Sequence, residues 1–167
     1  MLRRRSVLFA LLIPAALGLV APQAATAAEI VQTSSVQEQV DEVIDDFGGE
    51  QTAWNEVSWD DGDVTLTIVP ETSTASARIV SAAAAATKNN CATGKHCAFA
   101  SAGYRGNVMT FSTCATNQSV AVLGSAGSVA NNRSNKTVKA YKGTTLIATI
   151  GANSGKDTAG TTKLSCF

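Results

Sequence analysis

Cys91, His96, Cys97 and Cys114 fall within 24 residues, which hold the only histidine and three of the four cysteines of the 167-residue chain. Thiols and an imidazole at this spacing admit three chemistries. A zinc site built on Cys91, His96 and Cys97 needs a second well-spaced ligand pair, and the sequence offers none. Nucleophilic catalysis has only His96 as a base. A single histidine excludes an H-E-x-x-H site and undercuts any Ser-His-Asp or Cys-His arrangement. Paired-carboxylate chemistry would have to come from upstream, because Asp157 is the only acidic side chain after Ser81. Asp60, Asp61 and Asp63 cluster, but turn formation explains them at lower cost. No enzyme is expected, and no metal or cofactor is called for. The remaining chemistry is disulfide formation.

That chemistry needs an oxidising compartment, and the N-terminus supplies the route. Residues 1–27 read as a secretory signal, with Arg3, Arg4 and Arg5 ahead of an apolar run from Val7 to Val20. Pro14 and Pro22 interrupt the stretch, and Ala25-Thr26-Ala27 is a small-residue cleavage site, with Thr26-Ala27-Ala28 as the alternative. The expected protein is secreted, with no membrane anchor in the mature chain. Four cysteines in such a chain imply two disulfides, for which three connectivities exist. Cys91–Cys97 over a turn at Gly94, with Cys114–Cys166, is favoured. Cys97–Cys114 across a hairpin is the rival.

The elements that position these residues follow from spacing. Phe99, Tyr104 and Phe111 alternate with small residues, and Gly103 and Gly106 bracket Tyr104, which predicts a hairpin with a folded-over turn. Short strands are expected at Ala98–Ser101, Val108–Phe111, Ser119–Leu123, Ser128–Asn131, Thr137–Tyr141, Thr145–Ile150 and Thr161–Cys166, in a module spanning 91–167. Upstream, Ser35-Val-Gln-Glu38 forms a capping box, and Val36, Val40, Val43, Ile44 and Phe47 keep helical spacing up to Gly48-Gly49. This predicts an amphipathic helix over 35–47. Gln51–Trp59 and Val64–Val69 predict two strands joined by a turn at Asp60–Asp63. The resulting α-β-β segment, 28–69, is too small for an independent core and should lean on another surface. An Ala-, Ser- and Thr-rich linker, 70–90, separates the two units.

Charge divides the same way. Twelve acidic residues lie between Glu29 and Glu71, and nine basic residues face only Asp157 from Ser81 onward. With Arg78 the only base between positions 29 and 80, the halves carry −11 and +8. Arg133, Lys136, Lys139 and Lys142 fall in one stretch and are candidate polyanion contacts. Nucleic acid is not the expected partner, since only Tyr104 and Tyr141 lie near bases as stacking residues. Such a strip would suit an anionic cell-wall polymer, with the acidic segment docking on the basic module and masking it.

Phe99-Ala-Ser-Ala-Gly-Tyr104-Arg-Gly106 resembles the folded-hairpin signature of βγ-crystallin Greek keys, with Ser128 placed to pin the hairpin. The frame Cys91-x-x-Gly94-x-x-Cys97-x-Phe99, Tyr104-x-Gly106, Phe111-x-x-Cys114, Ser128-x-x-Asn131-Asn132 and Val138-x-x-Tyr141 resembles the βγ-crystallin-like peptidase inhibitor family of actinobacteria, the streptomycete metalloproteinase-inhibitor type. Asn55 to Val64 is similar to an N-terminal extension of some relatives. The resemblance implies a mainly β fold: a βγ-crystallin-like Greek-key β-sandwich preceded by the α-β-β segment. It implies a secreted inhibitor with a protease partner. The second half keeps Tyr141 but lacks the aromatic-glycine signature. Leu123-Gly124 stands where the family's calcium sites have an Asn/Asp pair, and Asp157 is a lone carboxylate in the other half, so no metal site is expected.

Overall fold

The computed structural model describes residues 27–70 and 87–167. The stretch read as a secretory signal, up to Thr26, and most of the stretch read as a linker, from 71 to 86 with its alanine run, lie outside the described residues.

Helix α1 spans Ala27–Phe47. The expected start at Ser35 is corrected, because the backbone is already helical over the eight preceding residues. Ala, Glu and Gln in that run favour the helix and no Gly or Pro interrupts it, so the capping signature sits inside a helix. The Ser35 carbonyl instead accepts from Gln39 Nε2 at 3.3 Å. Gly48, at φ +69°, closes the other end, its N–H donating to Ile44 O at 2.9 Å.

The strand expected over 51–59 is two strands, β1 (Glu50–Ala53) and β2 (Glu56–Trp59), turning at Trp54-Asn55. Asn55 fixes the break. Its carbonyl accepts from Ile68 N at 2.8 Å, and its Nδ2 donates to Ile68 O at 2.9 Å, so its polar groups are directed away from the β1–β2 ladder. Strand β3 (Val64–Thr67) pairs with β2 after a 3-10 turn at Asp60–Gly62, as the sequence predicts. The unit is therefore α-β-β-β.

This unit leans on the rest through β3, which pairs residue by residue with β7 (Arg105–Phe111), from Val64 opposite Phe111 to Thr67 opposite Val108. Val36 and Val40 of α1 are fully buried in one core with Val57, Leu66, Ile68, Met109 and Phe111. Each such aliphatic side chain contributes roughly 1.5–3 kcal/mol of gross burial energy. The acidic unit is thus built into the sheet. Covering of the basic strip by this unit is not the observed arrangement: α1 contacts β1 and β2, whereas Lys139 and Lys142 lie on β10 (Val138–Lys142) in the other sheet.

The remaining strands are β4 (Thr87–Lys88), β5 (Cys91–Ala92), β6 (His96–Ser101), β8 (Gln118–Ser119), β9 (Ala126–Asn131), β11 (Thr145–Ile150), β12 (Ser154–Thr161) and β13 (Lys163–Cys166). Because β4 pairs with β5, the module begins inside the stretch read as linker. A seven-stranded sheet runs β1-β2-β3-β7-β6-β9-β12, and a four-stranded sheet runs β11-β10-β13-β8. Each half of the module lends one strand to the other's sheet: β8 joins the second-half strands, and β12 joins the first-half strands. That exchange buries both inner faces in one core and ties the halves together.

Two strand expectations fail locally. Ser119–Leu123 holds only the end of β8, followed by a 3-10 turn over Ala121–Leu123 closed by Gly124 N to Ala121 O at 2.7 Å. Strand β12 was not expected, because Ser154-Gly-Lys-Asp-Thr-Ala-Gly-Thr161 lacks an apolar alternation. It is an edge strand whose ladder partner is β9.

Candidate functional site

The aromatic-glycine motif folds as its spacing requires. Tyr104 (φ +61°) and Gly106 (φ +74°) take left-handed backbone at the tip of the β6–β7 hairpin. The tip folds back so that the Tyr104 ring meets Phe99 edge-on, with centroids 5.8 Å apart. Ser128, fully buried on β9, pins the fold: its Oγ accepts from Tyr104 N at 3.0 Å and donates to Ser101 O at 2.7 Å. Gly127 must be glycine, since a Cβ there would lie 2.6 Å from the Ser101 carbonyl carbon. Asp157 adds a second anchor, accepting from Gly103 N at 2.8 Å. The lone carboxylate of the module thus fastens the hairpin. Among the described residues no three His, Cys, Asp or Glu side chains converge as metal ligands.

Cys91 pairs with Cys97, and Cys114 with Cys166. The first bridge closes a tight turn in which Lys95 N donates to Ala92 O at 3.1 Å and Gly94 sits at φ +77°. Buried Asn132 holds this turn from below through Gly94 N, Lys95 O and Cys91 O. The second bridge braces the segment from Ser112 to Asn117, between β7 and β8. Cys166 N donates to Ala115 O at 2.9 Å, and Ser165 Oγ accepts from Asn117 N at 3.1 Å. Thr113, Ala115, Thr116 and Asn117 remain exposed on both sides of half-buried Cys114.

His96 is fully buried and neutral. Its ring stacks on Phe111 at 5.0 Å, Nε2 meets Gln118 Oε1 at 2.8 Å, and Nδ1 accepts from Arg133 Nε at 3.2 Å. Burial holds its pKa down at about 4, the bond to Gln118 opposing this and the Arg133 charge reinforcing it. His96 and Cys97 face opposite sides of β6, so they form no common ligand set.

The four candidate polyanion contacts separate. Arg133 turns inward, its NH2 donating to Phe111 O at 3.1 Å and Ser112 O at 2.7 Å, and burial lowers its pKa. It clamps the β7 end rather than joining a surface strip. Lys136 and Lys142 are exposed, and Lys139 Nζ lies 4.9 Å over the Phe167 ring. Lys163, which the charge reading left out, takes the place beside them, its Nζ 5.3 Å over Tyr141. The residue directly opposite Tyr141 in the β10–β13 register is Lys163, but no sequence pattern shows that pairing. Asn132 was quoted only as part of the resemblance, and its bracing role emerges from the geometry.

Residues 84–150 match the family model of peptidase inhibitor family I36. The match reaches from the start of the disulfide module to the end of β11, and leaves α1, β1–β3, β12 and β13 outside it. No curated protein and no solved structure matches the chain.

Proposed function

We propose that the protein is a secreted, non-catalytic proteinase inhibitor, and that the segment from Ser112 to Asn117 is the part it offers to a protease. The peptidase inhibitor match supports the class of activity. The observation that carries the choice of segment is its brace. Cys114–Cys166 and the Ala115 O and Asn117 N hydrogen bonds tie an exposed, irregular backbone to β13. A chain held rigid in its bound shape loses little conformational entropy on binding. The Cys91–Cys97 turn is equally braced, but it is a tight turn with a left-handed Gly94. It closes on itself and exposes only Thr93 and Gly94, whereas four residues are exposed from Thr113 to Asn117.

Secreted metalloproteinases are the proposed target class, by analogy with the resemblance of the cysteine, aromatic and glycine frame. The mature chain, assayed against a panel of secreted metallo- and serine proteases, should inhibit at least one metalloproteinase at stoichiometric concentration. Ala115→Arg should weaken that inhibition tenfold or more with an unchanged melting temperature. Failure to inhibit or capture any protease would remove the reading. Inhibition insensitive to Ala115→Arg would move the contact elsewhere.

A further inference from the structure

Inhibition makes no use of the charge of the N-terminal unit, yet that unit carries a developed aromatic groove. A cleft of about 440 Å³ opens between the end of α1, the β2–β3 hairpin and the 113–122 segment. Phe47, Trp59, Val64, Phe111 and Val122 form its apolar walls, and among the described residues Asp60 is the only charged one lining it. Trp59 and Asp60 also line a second hollow of about 610 Å³, to which Glu50 and Asp61 contribute. Among the described residues no Lys, Arg or His lines either hollow.

The walls are fixed in place. Trp59 Nε1 donates to Phe47 O at 3.1 Å, and the indole lies so close to Gly49 that a Cβ there would sit 2.8 Å from it. Phe111 is held by stacking on buried His96. Asp60 and Asp61 both adopt left-handed backbone at φ 53°, a turn conformation that Asp and Asn enter more readily than other non-glycine residues. Phe47 ends α1 with no basic residue in the last turn, so no side-chain cation offsets the negative pole of the helix there, although Trp59 Nε1 and Gly48 N donate to two of its last carbonyls. Half-exposed aromatics beside exposed carboxylates and a helix C-terminus make an apolar site of negative potential.

We propose that this groove binds a lysine- or arginine-containing segment of another protein. The alkyl stem of the basic side chain would lie against Phe47 and Trp59, and its charge would sit at Asp60, Asp61 and the helix end. Charge complementarity selects a cation, and the aromatic walls favour one with an apolar stem. The charged and aromatic residues that carry this inference differ from those proposed to contact a protease, although Thr113–Asn117 form the far wall. Substitution at Asp60 and Asp61 tests it separately from any inhibition assay.

The chain has two tryptophans. In a Trp54→Phe background the fluorescence of Trp59 reports on the groove. Hexalysine should change that fluorescence saturably at low salt, and hexaglutamate should not. Asp60→Asn/Asp61→Asn should weaken hexalysine binding tenfold or more, and asparagine accepts the left-handed backbone, so the turn is kept. Glu38→Gln, on α1 but lining neither hollow, should leave the Kd within about twofold. Absence of a saturable change would overturn the proposal. So would equal weakening by both variants, which would make the attraction one of bulk charge. Sedimentation showing a dimer that hexalysine dissolves would give the groove to the basic β10 face of a second copy, and would overturn a separate partner.

Discussion

Arg133 Nε donates to His96 Nδ1, and that one bond fixes the imidazole tautomer. With Nδ1 an acceptor, Nε2 carries the hydrogen and donates to Gln118 Oε1, whose amide nitrogen donates on to Thr113 O at 3.3 Å. The chain of donors runs from a partly buried cation to the base of the Cys114 segment. Protonating His96 would break its first link, because Arg133 Nε cannot accept, and would set imidazolium against guanidinium.

Stability should therefore fall on acidification. The ordinary histidine value is 6.5, and His96 is held at about 4 in the folded state. Above the higher value both states hold a neutral imidazole. Between the two, the unfolded chain binds a proton that the folded chain refuses, and the free energy of folding weakens by about 3 kcal/mol across the window, at roughly 1.36 kcal/mol per pH unit. Urea titrations near pH 7, 5.5 and 4 should show this loss. His96→Gln should be less stable near neutrality yet show a flatter dependence. A wild-type slope matched by the variant would mean that His96 is not its source.

The two bridges should differ in worth. Cys91–Cys97 spans a sequence separation of 6 and Cys114–Cys166 one of 52. In the chain-entropy account these loops correspond to about 2 and about 4 kcal/mol. Paired Cys→Ser variants, compared by denaturant midpoint, should rank in that order. Thiol titration of the denatured, unreduced mature protein should read zero.

Ser128→Ala should cost about 2 kcal/mol, since it removes two bonds and leaves Ser101 O and Tyr104 N without their partner. Gly127→Ala should cost more, because backbone atoms of Ser101 and Ala102 must move. Thermal melts check both. Losses confined to a few tenths of a kcal/mol would show that the folded hairpin does not depend on its pin.

Millimolar calcium should leave the melt unchanged. Asp157 is the only acidic side chain after Ser81 and is engaged with Gly103 N, and among the described residues no three His, Cys, Asp or Glu side chains converge, whereas calcium takes six to eight oxygens. A rise of several degrees would reveal an oxygen cage.

The hairpin motif was legible because its restraints are local. Phe99, Tyr104 and Gly106 are close in sequence, and left-handed backbone announces itself through glycine. The favoured cysteine pairing was legible for the same reason at Cys91–Cys97. Longer-range features left no such mark. The inward turn of Arg133 depends on carbonyls at Phe111 and Ser112, about twenty residues away, so its charge read as surface charge. Strand β12 has no apolar alternation of its own and is specified by the β9 edge it completes. The break at Asn55 answers to Ile68, which no hydropathy window around residue 55 contains.

The N-terminal unit should prove structural when removed. Strand β3 supplies the outer hydrogen-bonding partner of β7 at four register positions, and Val57, Leu66 and Ile68 share a core with Met109 and Phe111. A chain of residues 87–167 would bare the β7 edge and that apolar surface, which is a template for edge-to-edge association. It should melt lower than residues 28–167, bind a hydrophobic dye and run as oligomers at moderate concentration. If instead the two chains melt together, and the shorter one stays monomeric and binds polyanions more tightly at low salt, then the acidic unit acts as a removable cover and the β3–β7 pairing contributes little.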